Sequence, residues 1–169
     1  MKMYKSLILF SSVDGHTEQI CNYISECLNH DADVISIESS PDIEKYEKIV
    51  IGASIRYGKY RSSLYDFIDK NLELINSKDN AFFSVNVVAR KSDKNNAETN
   101  PYVKKFLGNT NWSPKIIDVF AGKIDYPKYK FFDKYAIKFI MWITKGPTDT
   151  SKKYEFTDWN KVKNFSKKI

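Results

Sequence analysis

The chain has 169 residues, of which 42% are hydrophobic and 28% are charged, and it carries a net charge of +6. These values predict one folded domain over residues 1–169 and argue against a disordered or fibrous protein. No stretch approaches the roughly 20 apolar residues that a membrane span needs, and no cleavage site follows the short apolar run near the N-terminus. We therefore expect a cytoplasmic protein.

Short apolar runs alternate with amphipathic helical stretches along the chain. The pattern predicts strands at 7–10, 33–37, 48–54, 81–89 and 115–121. It predicts helices at 17–29, 61–75 and 101–107, and a last helix from residue 158 onward. Such alternation predicts an α/β fold with a doubly wound parallel sheet of five strands in the flavodoxin-like order 2-1-3-4-5.

In that order a ligand sits at the carboxyl ends of strands 1 and 3, where the first loop reads SSVDGHT. Its hydroxyls and backbone N–H groups, with a helix N-terminus behind them, can hold a phosphate dianion. The loop lacks the GxGxxG of dinucleotide sites and the GK[ST] of the P-loop, so we expect a mononucleotide. Gly15 is expected to allow the tight turn, Thr17 to cap the helix, and His16 to offer its backbone N–H. Taken alone, the loop could also be an ordinary strand-to-helix turn.

Two further loops line the same predicted crevice, after the third strand and at the end of the fourth. They carry Arg56, Lys59, Arg61, Arg90 and Lys91, together with Tyr57 and Gly58. Each loop alone could be a solvated basic turn or a buried strand ending. The same cations suit an anionic substrate, because arginine pairs with carboxylates.

About 35 residues, roughly 122–157, form an insertion before the last helix. Between residues 123 and 153 there are eight lysines and three aspartates, almost the whole net charge. A helix here would align six apolar side chains on one face, namely Phe132, Tyr135, Ala136, Phe139, Ile140 and Ile143. Its lysines lie away from that face, so the helix could bind an anionic membrane surface or pack on its own domain.

Six segments resemble the flavodoxin-type, quinone-dependent protoporphyrinogen oxidases of bacteria, the HemG family. They read LILFSSVDGHT, VIGASIRYGKY, FFSVNVVARK, PYVKKFL, YPKYKFFDKYAIKFIMWI and TDTSKKYEFTDW, in the family's order over nearly the whole chain. His16 stands where the family usually has glutamine or asparagine. The resemblance implies an FMN enzyme of haem biosynthesis that oxidises protoporphyrinogen IX and passes the electrons to menaquinone or ubiquinone. It also implies a peripheral position on the cytoplasmic face of the cell membrane.

The resemblance assigns residues by position. FMN would be bound by Ser11, Ser12, Val13, Asp14, Gly15, His16, Thr17, Ser54, Ile55, Arg56, Tyr57, Gly58, Ser84, Asn86, Val87, Val88 and Ala89. Substrate or membrane would be contacted by Arg56, Arg61, Arg90, Lys91, Lys134, Lys138, Phe139 and Trp142. The flavin itself carries the chemistry, so no catalytic side chain and no metal are expected. Cations beside the flavin that the resemblance implies favour its anionic reduced form, so we expect a comparatively high reduction potential.

Two other functions of the same fold remain open, an electron-carrying flavodoxin and an NAD(P)H:quinone reductase. The basic crevice and the insertion argue against the first, and no separate nucleotide motif supports the second. A nucleic-acid partner is not expected, because the lysines concentrate in an aromatic insertion and no nucleic-acid-binding motif is present. The sequence leaves the formation of a homo-oligomer open.

Overall fold

The computed structural model describes residues 5–169. In chain order the elements are β1 Lys5–Ser11, α1 His16–Cys27, β2 Asp31–Ser36, β3 Lys48–Ser54, α2 Ser62–Asn76, β4 Asp79–Asn86, α3 Pro101–Asn109, β5 Ile116–Ala121, β6 Lys123–Asp125, α4 Phe131–Ile143, β7 Lys153–Glu155 and α5 Trp159–Ser166.

A parallel five-stranded sheet forms the centre of the fold, in the order β2-β1-β3-β4-β5, which confirms the predicted topology. The inner strands are buried on both faces, as their continuous apolar runs predict. On one face α2 and α3 enclose an aromatic core around Phe82, Phe106 and Trp112. On the other face α1 and α5 pack against the sheet over Phe83 and Phe120.

Two predicted boundaries at the ligand end of the sheet were wrong. The fourth strand ends at Asn86 rather than at residue 89, because the Asn86 side chain accepts a hydrogen bond from the Ala89 N–H and closes a 3₁₀ turn over Val87–Arg90. The first helix begins at His16, and the residue before it is Gly15 with a φ of 82°. Thr17 therefore lies inside the first turn and does not cap the helix.

The insertion is a small folded unit of its own, which the sequence pattern did not show. β6 and β7 pair as an antiparallel ribbon, and α4 lies between them in the chain. Ile124, Tyr126 and Met141 form its buried centre. This unit covers the carboxyl ends of the parallel strands, where the predicted crevice lies.

The helix α4 contacts the domain with one side and exposes an apolar face on the other. Ile137 and Met141 face inward, whereas Phe132, Phe139 and Trp142 are 85%, 59% and 69% exposed. Tyr135 and Ile143, from the predicted apolar face, are also exposed. That face therefore does not pack on its own sheet. Within residues 5–169 no helix has the length and apolar character needed to span a bilayer.

Candidate functional site

A cleft runs along the carboxyl ends of β1, β3 and β4 and has two parts. The first part, the cradle, lies against the β1–α1 loop and is lined by Ser12, Val13, Asp14, His16 and Thr17. The second part, the groove, lies between the β3–α2 loop, the 3₁₀ turn after β4 and the insertion. The two parts share Asp14, Ile55, Arg56, Asn86, Val87 and Lys123, so they form one continuous site.

The cradle presents polar groups that the folded chain leaves unsatisfied. The hydroxyls of Ser11 and Thr17 are buried and have no hydrogen-bond partner among the described residues. Thr17 lines the cradle, whereas Ser11 is not part of its lining. A buried hydroxyl without a partner is costly, so the Thr17 hydroxyl at this position indicates a polar ligand. Gly15 has a left-handed backbone conformation with open space beside it, and the N–H groups of the first turn of α1 point to the same place. Together these groups suit a phosphate dianion.

The carboxylate of Asp14 would repel such an anion, but Arg56 neutralises it. Arg56 Nη1 lies 2.7 Å from Asp14 Oδ1, and Arg56 Nη2 lies 3.0 Å from Asp133 Oδ2 on α4. Burial alone would lower the pKa of Arg56, and the two carboxylates raise it above its usual value. Arg56 therefore ties the β1–α1 loop to the insertion.

Tyr57 also connects the β3–α2 loop to the insertion, and it does so from a strained backbone conformation. It has a φ of 49° and precedes Gly58, which has a φ of 74°, in a turn closed by paired backbone bonds between Arg56 and Lys59. The Tyr57 hydroxyl donates a hydrogen bond to Asp133. This hydrogen bond and the charge of Arg56 hold the pKa of Asp133 below its usual value. A non-glycine residue in this conformation is uncommon and marks a position that the fold enforces.

A buried polar network fixes the turn after β4. Asn86 Nδ2 donates to Ser84 Oγ and Asn100 Oδ1, and Asn100 Nδ2 donates back to Asn86 Oδ1. The Tyr60 hydroxyl donates to Ser84 Oγ over 2.6 Å. This network positions Val87 and Val88, which line the groove, and Asn86 itself lines both the cradle and the groove, whereas Ser84 lines neither. Ala89 is buried behind them.

His16 joins the cradle to the segment before α5. Its Nε2 lies 2.7 Å from Thr157 Oγ1, whose own hydroxyl donates to the carbonyl of Ala121. The ring must therefore donate from Nε2 to Thr157. Burial is the main cause that lowers the pKa of His16, and Trp159 packs edge-on against the ring at 6.1 Å.

Three of the predicted substrate cations are already engaged within the protein. Arg56 pairs as described, and Arg61 lies 3.1 Å from Glu38 and donates to the carbonyl of Ser12. Arg90 donates to the carbonyls of Val87 and Thr144, so it fastens the end of α4 to the 3₁₀ turn. Arg90 does not line the groove, and neither do Lys91, Lys134, Lys138, Phe139 and Trp142.

Comparison with known proteins identifies the relatives of this arrangement. The model of a flavodoxin domain matches residues 7–151. The protoporphyrinogen IX dehydrogenase [quinone] of Escherichia coli strain K12 is 44% identical over 98% of this chain and 94% of its own length. The protein of that name from Leishmania major is 42% identical over 96% of this chain and 73% of its own. The chain belongs to this flavodoxin-type protoporphyrinogen IX dehydrogenase family.

Membership of the dehydrogenase family confirms the resemblance seen in the sequence motifs. Solved structures also match over part of the chain, at lower sequence identity than these relatives. A flavodoxin from the domain Archaea gives a TM-score of 0.46 at 19% identity, covering 78% of this chain and 90% of its own. Flavodoxin 1 from Bacillus cereus gives 0.45 at 19% identity, covering 83% and 97%.

The cleft also contains a residue that sequence reasoning did not single out. Lys123 begins β6 and lines both the cradle and the groove. No carboxylate of residues 5–169 lies within ion-pair distance of its ammonium. The only sequence signal was its place in the basic insertion, since its approach to the cradle depends on how β6 folds back after β5.

Proposed function

We propose that this chain uses FMN to oxidise protoporphyrinogen IX to protoporphyrin IX in haem biosynthesis and passes the electrons to a quinone. The observation that carries the proposal is the joining of the cradle to the groove. The cradle suits a phosphate, and the groove suits flat, apolar rings. The names of the relatives at 44% and 42% identity give the substrate and the acceptor.

In this proposal the cradle holds the phosphate of FMN. The hydroxyl of Thr17, which lines the cradle, gains the partner that it lacks, and the first turn of α1 supplies backbone N–H donors. Gly15 permits the close approach. Arg56 neutralises the carboxylate of Asp14, which would otherwise repel the anion, so the loop needs no cationic side chain of its own.

The groove would hold the isoalloxazine ring and, beside it, the substrate. Ile55, Val87, Ile124, Ile137 and Met141 line it and exclude water from both rings. FMN, when bound, supplies the acceptor for a hydride from the substrate. The overall oxidation removes six electrons and six protons in three two-electron steps, and Lys123 offers a positive charge between the cradle and the groove.

We further propose that the protein works at the cytoplasmic face of the cell membrane, where it meets menaquinone or ubiquinone. The support is the exposed apolar face of α4, whose Phe132, Phe139 and Trp142 lie in solvent. Lys134 and Lys138 lie on the same helix, and Lys130 directly precedes it. Apolar side chains that enter the bilayer boundary beside lysines that meet anionic headgroups are typical of a peripheral helix.

An anaerobic reduction experiment tests the proposed activity. FMN-loaded protein is mixed with protoporphyrinogen IX, and the flavin absorbance near the visible maximum is followed. We expect the flavin to bleach and to recover when a quinone is added. Absence of bleaching with the porphyrinogen, together with bleaching by NADPH, would indicate the quinone reductase instead. A stable one-electron form with no response to either compound would indicate an electron carrier.

A further inference from the structure

A second cavity opens beside the groove, on the far side of the Tyr57–Gly58 turn. It has a volume of about 360 Å³ and lies between the β3–α2 loop, the start of α2 and α3. It shares Ile55, Gly58 and Tyr102 with the groove, so a ligand in the groove can extend into it. The sequence pattern placed Lys59 among the cations that suit an anionic substrate, but it did not indicate Lys105 or the cavity that the two lysines share.

The walls of the cavity combine aromatic rings with cations. Three tyrosines line it, namely Tyr60, Tyr65 and Tyr102, and two lysines stand at its edge, namely Lys59 and Lys105. The Tyr60 hydroxyl is committed to Ser84, and the Tyr65 ring packs on Phe106 at 5.8 Å, so these walls are held in place. No acidic side chain of the described chain belongs to the lining.

The two lysines differ from the arginines around the cleft in having no anionic partner. Arg56 and Arg61 have carboxylates at 2.7 Å and 3.1 Å. Within residues 5–169, neither Lys59 nor Lys105 forms an ion pair with an acidic side chain. Positive charges at the mouth of a cavity without internal counter-ions favour an anionic ligand. The anion-binding capacity at this end of the site therefore belongs to the lysines.

We propose that this cavity is the carboxylate-binding end of the substrate site, and that Lys59 and Lys105 pair with the carboxylates of a dicarboxylic tetrapyrrole. The proposal rests on the proposed function for the identity of the ligand. The apolar groove takes the macrocycle, and the two propionates extend past Gly58 and Tyr102 to two lysines. Tyr102 contacts both parts and lies under the junction.

The location of the two lysines explains how orientation can be imposed. Both carboxylates of the substrate lie on one side of its macrocycle, and both lysines lie on one side of the groove. A tetrapyrrole bound in this way presents its opposite, uncharged side toward the insertion, where Ile137, Ile140 and Met141 line the groove. Charge then selects the orientation, and apolar contact supplies the remaining affinity.

The test compares the free diacid with its dimethyl ester, which lacks both charges. The protein variant is Lys59→Gln with Lys105→Gln, and the matched control is Lys104→Gln, an exposed lysine on α3 that does not line the cavity. Binding of protoporphyrin IX and of its dimethyl ester in neutral detergent is measured by quenching of tryptophan fluorescence. The rate of flavin bleaching is measured with protoporphyrinogen IX and with its dimethyl ester.

We expect the double variant to bind the diacid about tenfold more weakly, or about threefold for each lysine, while binding of the ester is unchanged. The limiting rate of bleaching should stay within about twofold, because the lysines bind ground state and transition state alike. If the double variant still distinguishes diacid from ester as the wild type does, the proposal is wrong. An equal loss in Lys104→Gln would also overturn it, because it would show general electrostatic attraction. Failure of both substrates to bleach the wild-type flavin would refute the proposed function alone, since the binding comparison still decides the role of the lysines.

Discussion

Thr17 offers a direct test of the cradle at the level of one hydroxyl. Its Oγ1 is buried without a partner, so Thr17→Val removes a group that costs the flavin-free protein stability. We expect the free energy of unfolding of the flavin-free protein to stay equal or to rise. The dissociation constant of FMN should increase about tenfold or more, because a hydrogen bond to a charged phosphate is lost. Fluorescence titration with FMN and thermal unfolding measure the two effects.

Thr110→Val is the matched control for this substitution. Thr110 follows α3, and its hydroxyl accepts a hydrogen bond from the Trp112 N–H away from the cleft. This control should lose some stability and leave FMN affinity unchanged. Equal FMN affinity in Thr17→Val and wild type would mean that the hydroxyl does not contact the phosphate.

Lys123 is the residue through which the electrostatics of the site are best tested. Lys123 lines the cradle and the groove and forms no ion pair with a carboxylate of the described chain, so its positive charge favours the anionic form of a reduced flavin. We expect Lys123→Met to lower the reduction potential of bound FMN by an amount on the order of tens of millivolts. Lys153→Met, on the paired strand β7, should leave the potential unchanged in the same anaerobic titration.

His16 should give the protein a measurable pH dependence. Burial lowers its pKa below the usual 6.5, so the folded protein holds the ring neutral while the unfolded chain accepts a proton. Its stabilising contribution is therefore complete above pH 6.5 and is lost as the pH falls through the lower, folded-state pKa. The charge of Glu155 raises the pKa of His16 and the charge of Lys123 lowers it. Gln19 and Thr157 lie within hydrogen-bond distance of the two ring nitrogens.

The measurement compares urea unfolding of the wild type and His16→Gln between pH 5 and pH 8. The difference in the free energy of unfolding should shrink as the pH is lowered from 6.5. The pKa of His30 is also lowered, but His30 is present in both proteins and cancels in the difference. A constant difference over this range would show that His16 does not titrate differently in the folded state.

At the scale of elements, the attachment of α4 depends on contacts at its two ends. Asp133 in the first turn binds Arg56 and Tyr57, and Arg90 binds the carbonyl of Thr144 at the last turn. Asp133→Asn should loosen the first turn with only a small loss of global stability, because the Arg56–Asp133 pair is partly exposed to solvent. Hydrogen exchange of residues 131–136 should become faster while that of β3 and β4 does not change.

Asp149→Asn provides the control within the same insertion. The Asp149 side chain pairs with Lys152 at 3.3 Å and accepts hydrogen bonds from Ser151, both within its own turn, so exchange of α4 should match the wild type. If Asp133→Asn leaves the exchange of α4 unchanged, the Arg90 contact and the inward packing of Ile137 and Met141 hold the helix without Asp133.

The strand order could be predicted from sequence because buried parallel strands are continuously apolar, as in residues 48–54. The end of β4 could not, because Val87, Val88 and Ala89 continue that apolar run while the Asn86 side chain turns the backbone. The start of α1 was misplaced for a related reason. A threonine after a loop resembles a cap, but here Gly15 takes that position with a left-handed backbone.

The candidate site was predictable where it depends on one continuous segment and not where it depends on pairing. The SSVDGHT loop forms the cradle, as the sequence indicates. Whether Arg56 faces a ligand or an aspartate depends on Asp14 and Asp133, and the latter lies 77 residues further along the chain. The position of Lys123 in the cleft depends on the antiparallel ribbon of β6 and β7. Each of these strands has three residues, which is too short to show a pattern in the sequence.

For the whole molecule, the main prediction concerns the exposed face of α4 and the membrane. The double variant Phe139→Ser with Trp142→Ser removes two exposed rings without touching the groove. We expect the wild type to float with vesicles that contain phosphatidylglycerol and less with neutral vesicles. The double variant should bind at least tenfold more weakly, since each ring contributes apolar area.

Leu107→Ser controls for general loss of exposed apolar surface, because Leu107 lies on α3 and is 37% exposed. Its flotation should equal that of the wild type. Unaltered flotation of the double variant would remove α4 from the membrane proposal. A change of molar mass in solution, seen by light scattering without a change in flotation, would instead indicate that this face binds a second copy of the chain.

The chain contains three tryptophans, and the structure gives each a different surrounding. Trp112 is buried in the aromatic core, Trp159 stands beside His16 near the cradle, and Trp142 lies in solvent on α4. Intrinsic emission can therefore separate three events in one unlabelled protein. Variants that keep a single indole should report core unfolding from Trp112 by a red shift, flavin binding from Trp159 by energy transfer, and lipid contact from Trp142 by a blue shift.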